Sequence, residues 1–209
     1  MKKHNVPFSI NLIYWLTNII YVLAILTGII VIILNVMLYT NAIGENLQIH
    51  LLFPGKVDFL ETGLLHLYDQ ELKVEFVDAT SDIHFIDTPK FVVRHVGLLL
   101  ILIVSWLIFE VFTFRKFINN FYNGNIFTFD NIALLKWIAY GLLGFWLFSI
   151  VYFRIIFHFL AKNLVFENVM ISDDLPNYSG VLLTSLFIWM LAHIFKKGLD
   201  LKQENELTI

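Results

Sequence analysis

Four ionisable residues, Glu110, His193, Arg154 and His158, fall inside long apolar runs, where such side chains are rare. A charge in hydrocarbon is costly, so it tends to face a partner, a cavity or a functional path. Glu110 comes five residues before Arg115 and His193 three before Lys196, so both lie about one helical turn inside the same boundary. A Glu110 to His193 pair would favour the charged imidazolium and make a proton-responsive latch. The plainer alternative turns Glu110 toward Arg115 and Lys116, and His193 toward a backbone carbonyl. Arg154 and His158, four apart on one helix face, sit near the opposite boundary, where Glu167, Asp173 and Asp174 offer counter-charges or the arginine simply snorkels.

Other chemistry is sparse. His50, His66 and His84 would suit a zinc ion only if a sheet brought them together. There is no Walker loop, no GxSxG and no HExxH. The absence of cysteine excludes disulfides, thiolate metal sites and dithiol chemistry. No basic patch interleaved with aromatics occurs in a polar stretch, so direct nucleic-acid binding is not expected. The expectation is a protein without catalytic, cofactor or metal residues.

The elements that must position these side chains are set by composition. With 58% hydrophobic and only 15% charged residues, the chain departs far from the soluble average and reads as a membrane protein. Apolar runs at about 10–40, 92–114, 130–161 and 179–196 are each long enough to cross a bilayer core of roughly 30 Å. Backbone amides in lipid must be satisfied within their own segment, which makes each run a helix. Lys2 and Lys3 ahead of the first run read as an uncleaved signal anchor. The expected fold is an all-α membrane protein, one domain over 1–209.

Orientation follows from the basic residues near the span ends. With the N-terminus inside, Lys2, Lys3, Arg115, Lys116, Lys196, Lys197 and Lys202 share the inner side. Most of the acids fall on the other. Both termini are therefore expected in the cytoplasm. The outer segment, 41–91, alternates polar and apolar residues between the turn signals PG, ETG and DQE, and predicts a small cap of three to five short antiparallel strands. Its acidic character would attract a cationic peptide.

The connector between the second and third spans, YNGNIFTFDN at 122–131, is more ordered than a loop needs to be. Asn123-Gly124 permits a tight reversal. Thr128 is placed as a helix N-cap, Phe127 and Ile132 have the spacing of a hydrophobic staple, and Asp130 complements the positive helix end. Ahead of it, Phe114, Phe117, Ile118 and Phe121 recur at helical spacing among Arg115, Lys116, Asn119 and Asn120, an amphipathic continuation of the second span along the membrane surface.

The run GNIFTFDN resembles a G-x-x-F-T-x-x-N signature, and the ending KKGLDLKQENELTI is similar to a second one, a basic pair and Gly leading to Leu, acids and a final L-T-hydrophobic. Carried by Gly124, Phe127, Thr128, Asn131, Gly198, Leu201, Glu204, Leu207 and Thr208, these motifs resemble the bacterial membrane family known as domain of unknown function 2975. His193 departs from the acidic residue that pattern would carry. The resemblance implies four spans in the bacterial cytoplasmic membrane and association with small helix-turn-helix regulators of the phage-repressor type. The expected role is thus a sensor or anchor whose inner face, Arg115 to Asn131 with Gly198 to Ile209, receives that partner. A transporter or immunity-type protein handling a peptide or lipid, and a scaffold that forms homo-oligomers through aromatic faces, stay open as alternatives.

Overall fold

The computed structural model describes residues 7–43, 49–67, 70–85, 88–163, 170–171 and 177–207. Its helices are α1 (Phe8–Tyr39), α2 (Lys90–Tyr122), α3 (Phe129–Asn163) and α4 (Ser179–Leu207). All four are long and apolar enough to cross a membrane, and large side chains such as Leu23, Ile30, Leu107 and Phe187 stay exposed on their surfaces. A chain that leaves so much apolar surface outward is a multi-pass membrane protein, with lipid in place of water as its solvent.

Two compact units form. The first gathers Met1–Glu45, Pro89–Trp146 and Ser179–Ile209, and the second comprises Asn46–Thr88 and Leu147–Tyr178.

In the first unit, α1 and α2 lie antiparallel with their backbones in close approach, and glycines make this possible. A methyl on Gly28 would stand 2.7 Å from Ile108 Cδ1, and the Gly97 face is filled by the Asn35 amide. Asn35 is itself buried and donates from Nδ2 to the Val31 carbonyl at 2.9 Å. Both ends of the pair are fastened in the same way. At one, Arg115 Nε donates to Asn18 Oδ1 at 2.7 Å while its guanidinium lies 4.6 Å from the Tyr21 ring centre. At the other, Arg94 Nη2 reaches Asn41 Oδ1 at 3.5 Å and lies 5.1 Å from the Tyr39 ring centre. Each arginine thus keeps its charge against an aromatic face and an amide oxygen.

At 33 and 29 residues, α2 and α4 outrun the bilayer core. With a rise of about 1.5 Å per residue they are roughly 50 and 44 Å long. The stretch 114–122, expected as a surface continuation of the second span, is unbroken α2, and α4 runs on past the expected end of the fourth span, at about 196, as far as Leu207. Apolar residues at helical spacing keep both extensions worth folding: Phe117 and Phe121 lie against each other, and Leu199 is buried.

The second unit contains the expected strand-rich insertion between the first two spans, with fewer and longer strands. Among the described residues of 41–91, two strands, β1 (Ile49–Leu67) and β2 (Gln70–Phe85), form an antiparallel hairpin in place of three to five short ones. A third, β3 (Met170–Ile171), joins from the connector between α3 and α4 and pairs with β1 at Val57 and Asp58, giving the order β2-β1-β3. The signals PG and ETG do not end the strand. They coincide with register shifts between Leu51 and Gly55 and between Asp58 and Glu61, the behaviour of bulges, where Gly and Pro are tolerated inside a strand. The register also separates the three histidines. His50 stands opposite His84, but His66 lies sixteen residues further along β1, opposite Glu71, about 50 Å away at strand rise.

Candidate partner-binding groove

The connector between α2 and α3 is built as the spacing of its residues predicts, with more bonds than expected. Gly124 takes φ 81°, the left-handed conformation that glycine adopts without strain. Around it the Asn125 amide donates to the Asn120 carbonyl at 3.0 Å and the Gly124 amide to the Phe121 carbonyl at 3.1 Å, a Schellman closure of α2. Thr128 Oγ1 then accepts from the Asn131 amide at 3.2 Å and starts α3.

Asn131 ties the two ends together. Its side chain is fully buried, with Nδ2 donating to the carbonyls of Asn125 at 2.6 Å and Ile126 at 2.7 Å, and Oδ1 accepting from Asn120 Nδ2 at 2.8 Å. Both hydrogens of the amide and one acceptor position of its oxygen are used. The last position of the F-T-x-x-N pattern is therefore the clasp of the turn. Thr128→Ala is expected to cost about 1 kcal/mol through the lost cap. Thermal unfolding in detergent would record this as a small drop in melting temperature, well below the effect of disturbing Asn131.

Phe127, expected as half of a staple with Ile132, lies over α4. A methyl on Gly198 would stand 2.6 Å from Phe127 Cε1, and the ring centre is 5.4 Å from that of Phe195. Phe195 in turn meets Phe117 at 5.8 Å. The two motifs read from the sequence, some seventy residues apart, thereby converge. Their meeting leaves a groove of about 500 Å3 lined by Phe127, Gly198, Leu201, Lys202, Asn205 and Glu206. Leu201 is 55% exposed and Leu207 88%, on the part of α4 that runs past the span. Lys202 and Glu206 form a loose exposed pair at 3.9 Å, which contributes little to stability.

Of the residues proposed for the inner face, the structure joins Gly124, Thr128 and Asn131 in the connector and Phe127, Gly198 and Leu201 in the groove. Glu204 is exposed on α4 and Lys116 on α2. Arg115 is committed to Asn18 and Tyr21, so its role is to bind α1 to α2. Thr208 lies outside the described residues.

Glu110 and His193, for which a pair was one of two readings, lie on separate contacts. Glu110 lies against Gly141 of α3, with both oxygens shielded from solvent and Trp106 the side chain placed to hydrogen-bond them. His193 is exposed on α4 with its ring centre 5.8 Å from that of Trp189. Arg154 and His158 are exposed on α3, and the acids considered for them, Glu167, Asp173 and Asp174, lie outside the described residues.

Sequence reasoning missed the role of glycine. Gly28, Gly97, Gly141, Gly144 and Gly198 each receive a side chain from another element. The signal was present as small residues within apolar runs, the usual mark of close helix contact in membranes.

No curated protein and no solved structure matches the chain. A family model described as protein of unknown function, DUF2975, matches residues 70–209, a region that contains both motifs and the groove they form. The chain belongs to the DUF2975 family.

Proposed function

We propose that this protein is a non-enzymatic membrane sensor or anchor, and that the groove formed by Phe127, Gly198 and Leu201 docks a cytoplasmic partner, a small helix-turn-helix transcriptional regulator. The observation that carries this reading is the convergence of the two motifs on one groove beyond the spans. Exposed Leu201 and Leu207 and half-covered Phe127 offer apolar anchors outside the lipid-facing stretch, framed by Lys202 and Glu206. That is the composition of a docking surface with an apolar centre and a polar rim. The basic residues Lys116, Lys196, Lys197 and Lys202 near this end favour placing it, with both termini, on the cytoplasmic side of a bacterial inner membrane. The acidic hairpin would then face outward and receive the signal, with a cationic peptide as the ligand its charge favours.

Leu199 is buried, so cutting the chain there would damage the bundle as well as the docking face. Leu201→Glu is the sharper test, since it places a charge on an exposed apolar anchor. Capture from native membranes with the full chain should recover a helix-turn-helix protein, and the substitution should reduce recovery at least tenfold while membrane insertion is unchanged. Equal recovery with Leu201→Glu, or no such protein at all, would count against the reading.

A further inference from the structure

Between α2 and α3, within the membrane-spanning part of the first unit, lies a recess of about 430 Å3 whose lining includes Leu102, Ser105 and Phe109 of α2 and Trp137, Tyr140 and Gly141 of α3. Its volume falls within the range of small-molecule sites, about 300 to 1,000 Å3. Leu102, Phe109, Trp137 and Tyr140 are each about half exposed on helix surfaces that contact lipid, so the recess opens to the acyl chains. Three contacts fix which levels of the two antiparallel helices correspond. Asn120 bonds Asn131 at 2.8 Å, Glu110 lies on Gly141, and Trp106 lies on Gly144. One step forward along α2 is thus matched by one step back along α3.

That register brings two lysines to one end of the recess. Lys136, five residues before Gly141, stands level with Arg115, five past Glu110, and so with Lys116 to within about one residue's rise. Lys116 follows Phe109 by two helical turns and shares its face of α2, while Lys136 precedes Tyr140 by four and is its neighbour on α3. Neither lysine makes an ion pair among the described residues, and Asp130 lies about 9 Å further along α3, away from the bilayer. From Lys116 to Leu102 the helix rises about 21 Å. This matches the depth of one leaflet, about 15 Å of hydrocarbon with its head-group layer. Trp137 and Tyr140, each with an apolar ring and a polar donor, occupy the level just below the lysines, where such rings favour the membrane boundary. Deeper in, Phe109 and Leu102 offer only apolar surface. An unpaired cationic end, an amphipathic middle and an apolar depth are the three zones of an anionic phospholipid. Basic pockets between spans recognise such head groups.

We propose that this recess binds one anionic phospholipid of the adjoining leaflet, its phosphate held by Lys116 and Lys136 and one acyl chain lying along Phe109 and Leu102. The site is separate from the groove at Phe127 and Gly198 and does not depend on it. Charge sets its selectivity. A zwitterionic lipid has the same chains, but its own ammonium competes with the lysines for the phosphate.

The test uses the full chain in nanodiscs of phosphatidylcholine, carrying Trp15→Phe, Trp146→Phe and Trp189→Phe so that emission reports Trp106 and Trp137 alone. Phosphatidylglycerol with brominated chains is the probe, and phosphatidylcholine with the same brominated chains is the control. At low mole fraction the anionic probe should quench saturably, with a preference over the control of about tenfold. Lys116→Gln with Lys136→Gln should remove that preference. Lys196→Gln with Lys197→Gln, at exposed lysines of α4, should leave it intact. Ser105→Phe, which fills the recess and leaves every lysine in place, should remove it as well. Should Ser105→Phe misfold, the comparison of the two lysine pairs still decides. Equal quenching by the two lipids, a preference that survives loss of Lys116 and Lys136, or one that survives Ser105→Phe in a folded protein would each overturn the proposal. So would an equal loss from the Lys196 and Lys197 pair, which would mean that diffuse surface charge gathers the lipid.

Discussion

Asn131→Asp, an exchange of one amide nitrogen for oxygen, is expected to break the connector between α2 and α3. In the native chain the Asn131 amide nitrogen supplies one hydrogen to the Asn125 carbonyl and one to the Ile126 carbonyl, in a site with no exposure to solvent. A carboxylate would point an oxygen at two carbonyl oxygens instead. Protonation does not repair this, since a carboxylic acid has one hydrogen for two acceptors. Each buried group left without its partner costs roughly 1 to 3 kcal/mol, so a loss of about 3 kcal/mol or more is expected. Asn131→Ala should be milder, because the space it opens admits water to the stranded carbonyls. Thermal unfolding of the two variants in the same detergent checks the order. A tolerated Asp, within about 0.5 kcal/mol of the native chain, would show that the clasp contributes little to stability.

Gly198→Leu is the second large effect, and it acts on binding and stability together. Even the first added carbon meets the Phe127 ring, with Cε1 at 2.6 Å and Cδ1 at 2.8 Å. The ring must swing out or α4 must move away. Overpacking of this kind typically costs about 1 to 3 kcal/mol, and the added side chain also occupies the groove beside Leu201. Partner capture should therefore fall at least tenfold. A double variant, Gly198→Leu with Phe127→Ala, separates the two consequences. Removing the ring relieves the clash, so stability should recover in part and reveal a coupling of about 1 kcal/mol or more. Binding should stay lost, since both changes alter the groove lining. Additive effects on stability would show that the residues do not touch in the way described.

How far the sequence announced this architecture depends on the kind of signal each part emits. Spans are legible because hydropathy accumulates over some twenty residues, and all four runs became helices. The connector is legible because turn and cap chemistry is local: Asn123-Gly124, Thr128 and Asn131 act within a few residues of themselves. The hairpin was harder to read. Gly and Pro mark a bulge as readily as a turn, and no pattern within 41–91 could disclose that a strand arrives from 170–171. Least legible was the rotation of each span about its own axis. A helix surrounded by lipid is apolar all round, so periodicity does not tell which face meets a neighbour. For that reason Glu110 and His193, equally deep by counting, end up apart, and Glu110 lies on Gly141.

The paired arginine fastenings at the two ends of α1 and α2 bear on how the bundle can deform. A one-turn slide of α1 along α2 would tear Arg115 from Asn18 and Tyr21 and Arg94 from Asn41 and Tyr39 in the same movement, and would drive side chains into Gly28 and Gly97. The contacts of α2 with α3 and α4 include ring against ring, such as Phe109 with Trp137 and Phe117 with Phe195, which can shear without stranding a hydrogen bond. The first two helices thus act as a stiff spar, while α3 is tied to α2 by a hydrogen bond at its start, Asn120 to Asn131, and by ring contacts further along. Any tilt of α3 against this spar would pivot at the connector, where Asn120 is bonded to Asn131, and would change the spacing of Phe127 and Gly198 across the groove.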